Sequence, residues 1–75
     1  MKKINDYDIT PCDVIFSHVE KPHGYIMCKS VNVFDNRWRV NLYSKREVDG
    51  IESKYISRSY FTRFDTSTGD LKILS

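Results

Sequence analysis

Two dipeptides, Asp35-Asn36 and Asp49-Gly50, sit between long segments in which apolar and polar residues alternate. Pairs of this kind close two-residue hairpins. Such a hairpin leaves little freedom of pairing, because the residues flanking the turn must face each other and every later pair follows. The stretch from Val31 to Phe64 therefore predicts three antiparallel strands whose side chains can be sorted by face.

The rest of the chain fits the same plan. Residues 1–12 read as a polar arm, with a short edge strand around Tyr7 to Ile9, and residues 13–75 as one domain. Within the domain the pattern predicts strands over Val14 to Glu20, Tyr25 to Phe34, Arg37 to Val48, Ile51 to Phe64 and Leu71 to Leu74. Lys21-Pro22-His23-Gly24 and Thr66-Ser67-Thr68-Gly69 supply the remaining turns. The expected fold class is all-β: a single small domain of about five antiparallel strands in a meander. It either curls into a small SH3-like or OB-like barrel or stays a strongly bent sheet.

Composition agrees. Alanine and glutamine are absent and leucine occurs only at Leu42, Leu71 and Leu74, which leaves little material for a long helix. β-Branched and aromatic residues, which favour strands, take their place. A chain of 75 residues buries a modest core. Its net charge of +2 is too small to demand nucleic acid, so any basic patch must come from arrangement. Residues with AT-rich codons heavily outnumber Gly, Ala, Arg and Pro, as expected of a low-GC source such as a bacterium, phage or mobile element.

No apolar run approaches the roughly 20 residues that cross a bilayer. The start, Met1 to Asp6, has no apolar signal region behind its lysines. The expectation is a cytoplasmic protein with no membrane contact. Two cysteines are too few for a disulfide scaffold, so free thiols are expected at Cys12 and Cys28.

Register then assigns the faces. Setting Val48 opposite Ile51 places Trp38 against Phe61, Val40 against Ser59 and Leu42 against Ser57. Setting Phe34 opposite Arg37 adds Val31 and Val33 to the same side. The expected core face is thus Val31, Val33, Trp38, Val40, Leu42 and Phe61. The opposite face carries Arg39, Asn41, Tyr43, Lys45, Lys54, Ile56, Arg58 and Tyr60, and these eight are the candidate binding residues. One misfit remains: Lys29 falls on the core side, which predicts a bulge near Lys29 and Ser30. A bend is expected in the long fourth strand at Ser57-Arg58-Ser59.

The face mixes tyrosines with arginines and lysines. Those residues anchor protein interfaces, and they can also stack bases and track phosphates. Lys45 opposite Lys54 is a like-charge pair that calls for a negative neighbour.

Elsewhere the chemistry is thin. Cys12, His18, His23 and Cys28 share one window, but their spacing matches no zinc knuckle and the expected strand sets His18 and Cys28 on opposite faces. Asp65 to Asp70 lacks the glycine position and distal glutamate of a calcium loop. Nothing selects a nucleophile and base from Asp13, His18, His23 and Cys28. The expectation is therefore no catalytic residue, metal or cofactor.

The function expected is a small non-enzymatic binding module that docks on a protein, a role that suits a phage or mobile-element inhibitor of a host protein. The alternative is a single-stranded nucleic-acid binder using the same face. An exposed edge strand would also permit a homodimer.

Overall fold

A computed structural model describes residues 9–75. The expected edge strand around Tyr7 to Ile9 falls outside the described residues except for Ile9, which is not in a strand. A short helix, α1 (Pro11–Val14), runs into a 3-10 turn (Ile15–Ser17). Four strands follow: β1 (Tyr25–Phe34), β2 (Arg37–Val48), β3 (Ile51–Asp65) and β4 (Asp70–Ile73). They form one antiparallel meander in the order β1-β2-β3-β4. The first strand pairs only with β2 and the last only with β3, so the sheet is open and not a closed barrel. No helix among the described residues is long and apolar enough to cross a membrane.

The turns that set the hairpins stand where the dipeptides place them. Asp49 and Gly50 both adopt positive φ, the conformation that matches a two-residue turn to twisted strands. Asp35 has positive φ as well. Gly24 is needed for a different reason: a Cβ there would lie 2.8 Å from the backbone oxygen of Lys45.

The expected strand over Val14 to Glu20 is replaced by the helical segment. The cause is local. Thr10 is extended and precedes Pro11, whose fixed φ suits the first helical position. The Asp13 carboxylate reaches back to accept the Thr10 N–H at 2.7 Å, and the Asp13 N–H donates to the Thr10 carbonyl at 2.9 Å. These bonds start a helix before strand propensity at Val14 and Ile15 can act.

That segment covers one face of the sheet. Ile15 is fully buried and joins Trp38, Val40, Leu42, Phe64 and Leu71 in the core. Phe16 meets Tyr25 edge-on at 5.1 Å, and Trp38 meets Phe64 edge-on at 6.0 Å. Such pairs contribute about 1 kcal/mol beyond the area they bury. The expected core members Val31 and Val33 are instead more than half exposed, and Phe61 lies on the other face.

The face assignments change because the ladder skips three residues. Pairing runs Val48↔Ile51 to Tyr43↔Ile56 as expected, then jumps to Leu42↔Arg58 and leaves Ser57 unpaired. A bulge inverts the face of everything beyond it. In β1 the skipped residues are Val33 and Ile26, not the expected Lys29 and Ser30. With Val33 skipped, Val31 pairs with Arg39 and Lys29 with Asn41, which removes Lys29 from the core side.

Ser57 has a use at its bulge. Its hydroxyl donates to the Leu42 carbonyl at 3.1 Å and accepts from the Ser44 hydroxyl at 2.8 Å. Ser44 is fully buried, so this bond satisfies a group that would otherwise lack water. Ser57→Ala is expected to lower unfolding free energy by about 1–3 kcal/mol, the cost of stranding a buried hydroxyl, measured by urea denaturation.

The expected free thiols are joined instead: Cys12 and Cys28 form a disulfide. An extended segment would have carried Cys12 away from β1, but a helix advances only about 1.5 Å per residue against about 3.3 Å in a strand. Cys28 pairs with Leu42 and so belongs to the core face, beneath α1. The bridge spans 16 positions, and closing a loop of that size stabilises a fold by about 3 kcal/mol in the chain-entropy account. Cys28→Ser, or reduction of the native protein, should lower stability by that order, with amide exchange rising first in Pro11–Ser17.

Candidate docking face

Directly paired residues on adjacent strands share a face, so the side of the sheet left uncovered among the described residues can be read row by row. Arg37, Arg63 and Lys72 form one row across β2, β3 and β4. The next is Val31, Arg39 and Phe61, then Lys29, Asn41 and Ser59, then Met27, Tyr43 and Ile56. Lys45 and Lys54 make the last basic row. Acids fence both ends: Glu47 opposite Glu52, and Asp65 opposite Asp70. No acidic side chain of the sheet stands between those fences.

Six of the eight expected binding residues come together here: Arg39, Asn41, Tyr43, Lys45, Lys54 and Ile56. The other two do not. Beyond the Ser57 bulge, Arg58 pairs with Leu42 and Tyr60 with Val40, so both belong to the covered side. Tyr60 packs partly buried against the core, while Arg58 stays exposed and donates to the Ser57 carbonyl at 2.7 Å. Phe61 takes the place expected of Tyr60. The face also gains Met27, Lys29 and Val31 from β1, and Arg37, Arg63 and Lys72 at its other end. One sequence signal for this existed, since Lys29 in a core row is a misfit that a shifted register removes.

The cations rest on the rings. Lys29 and Lys54 approach the Tyr43 ring, each with Nζ 5.7 Å from its centroid. The Arg39 guanidinium lies 5.3 Å from the Phe61 centroid. These contacts hold flexible side chains over an aromatic surface, at about 0.5–1 kcal/mol each when exposed. The Phe34 ring lies 6.4 Å from that of Phe61. Val31, Phe34 and Ile56 are half exposed or more, and Ser59 donates to Asn41 Oδ1 at 2.7 Å.

The electrostatics are unbalanced. Arg37, Arg63 and Lys72 stand side by side, as do Lys45 and Lys54, and like charges directly opposite each other destabilise a sheet. The negative neighbour sought for Lys45 is Glu52, 3.5 Å away, but both side chains are exposed and such a pair contributes little. It is the only ion pair found among the described residues.

Beside the acidic fence, Asn36, Arg63, Asp65, Asp70, Leu71 and Lys72 line a cleft of about 260 Å³. Hydrogen bonds from the Ser67 hydroxyl and backbone N–H hold the Asp65 carboxyl below its ordinary pKa, with a smaller contribution from Arg63. The stability this lends is present above the unfolded-state pKa and is lost as pH falls through the lowered folded value. Ser67→Ala should raise the Asp65 pKa, read by NMR titration, and shift that acid limb to higher pH. Among the described residues, no three of His, Cys, Asp or Glu gather as metal ligands.

No protein-family model, curated protein or solved structure matches the chain. The geometry of the face therefore carries the functional argument.

Proposed function

We propose that this chain is a non-enzymatic binding module that docks on a protein partner through the uncovered face of its sheet. The supporting observation is the mixture of half-exposed Val31, Phe34 and Ile56 with cations already seated on Tyr43 and Phe61. Tyrosine, phenylalanine and arginine amid aliphatic surface are the composition of interface cores. A nucleic-acid strand would need free ring faces for stacking and has no use for valine and isoleucine beside them. Here Lys29 and Lys54 attend Tyr43, and Arg39 attends Phe61.

The bond between Cys12 and Cys28 supports a further element of the reading. Disulfides persist where thiols stay oxidised, so the module works in an oxidising compartment rather than in the cytoplasm expected from the lack of an apolar signal region. Rapid acid quenching followed by thiol alkylation of protein from its source reads this directly, and alkylatable Cys12 and Cys28 would refute it.

The docking site is tested by capture from a lysate or secreted fraction of the source, after nuclease treatment. Wild type and Arg58→Ala should retain the same protein. Tyr43→Ala and Ile56→Asp should weaken its retention by about tenfold or more. Equal retention by all four, or loss of every captured species on nuclease treatment, defeats the reading.

A further inference from the structure

We infer that the occupant of this face is an acidic stretch of the partner protein, about eight residues long when extended, with carboxylates interspersed among apolar side chains. The inference rests on the docking reading and adds the chemistry of what docks.

Charge complementarity makes the argument. Between the acidic fences every row but one carries a cation, and the exception, Met27-Tyr43-Ile56, has Lys29 and Lys54 leaning toward its tyrosine. A second copy of the chain would set like charge against like charge on a low-dielectric surface, so self-association through this face is disfavoured. A neutral apolar partner would bury Arg39, Lys29 and Lys54 without counter-charges, a desolvation cost that nothing offsets. A partner bearing carboxylates meets both needs.

The fences set its length. From the Arg37 row to the Lys45 row β2 advances roughly 27 Å at strand rise, the span of about eight extended residues. Acidic residues placed beyond it would meet Glu47 and Glu52 at one end, or Asp65 and Asp70 at the other. The exposed Val31, Phe34 and Ile56 require apolar side chains within the same stretch.

The test uses the full chain and a fluorescein-labelled octapeptide of glutamates broken by one leucine and one phenylalanine. Its controls are the same peptide with glutamine for glutamate, and a short oligothymidylate. Fluorescence anisotropy at low salt should show the acidic peptide bound about tenfold or more tighter than its glutamine counterpart, with affinity falling as salt screens the contact. Lys29→Glu combined with Lys54→Glu should weaken binding by about tenfold or more, while Arg58→Glu, on the opposite side, should change it by less than about twofold. If the reversed pair unfolds, Lys29→Gln with Lys54→Gln gives the same reading.

Equal affinity for the glutamine peptide, or equal loss with Arg58→Glu, overturns the inference. Tighter binding of oligothymidylate overturns it in favour of nucleic acid. Capture that is lost with Tyr43→Ala but survives the Lys29 and Lys54 reversals overturns the acidic occupant and leaves protein docking in place.

Discussion

Everything in this structure depends on covering one side of an open four-stranded sheet. Antiparallel strands at this length need a dry face, and a chain of 75 residues has little to cover it with. Among the described residues the cover is a single turn of helix and a 3-10 turn, from Pro11 to Ser17, which brings Ile15 into the core cluster with Val40 and Leu42. So short a helix has no stability of its own. Two neighbouring residues hold it: Asp13 closes its first turn, and the bridge from Cys12 to Cys28 ties it to the underside of β1. That cover lies on one side, and no described helix or strand covers the opposite one.

That open side is the one proposed to dock. A two-sided sheet would have hidden Val31, Phe34, Phe61 and Ile56 between layers, and the cations beside them would have been excluded. Here the bulges bring apolar, aromatic and basic residues onto one uncovered surface. The like-charged rows are tolerated because the side chains are solvated and several lean on rings. Stability is spent on this arrangement in the Arg37-Arg63-Lys72 row, where Asp65 beside Arg63 offsets the repulsion only in part.

The site was partly legible before folding is considered. Arg39, Asn41, Tyr43, Lys45, Lys54 and Ile56 lie on the turn-side of Ser57 or on the straight central strand, so counting from Asp49-Gly50 places them correctly. Arg58 and Tyr60 lie past the bulge, and the same count inverts them. The expected bend at Ser57-Arg58-Ser59 marked the right place without supplying its consequence. On β1 the count from Asp35-Asn36 failed one step earlier, at Val33, and displaced Val31 and Lys29 together. The helix at Pro11 was also written locally, in Thr10, Pro11 and Asp13, but the apolar run behind it reads equally well as a strand.

The hairpin turns and the limits of β1 and β2 are therefore legible in the sequence alone. Asp49-Gly50 readily adopts the positive φ that a two-residue hairpin turn demands, and alternation over ten or more residues favours an extended chain on either side. Only the tertiary structure decided which face the residues beyond each bulge joined, that the two cysteines met, and that the sheet stayed open. A bulge is a choice between two ladders of similar local energy. What tips it is packing: the hydrogen bond from buried Ser44 to Ser57, and the burial of Leu42 in one cluster with Ile15. Those partners are far apart along the chain, and no local pattern records that they meet.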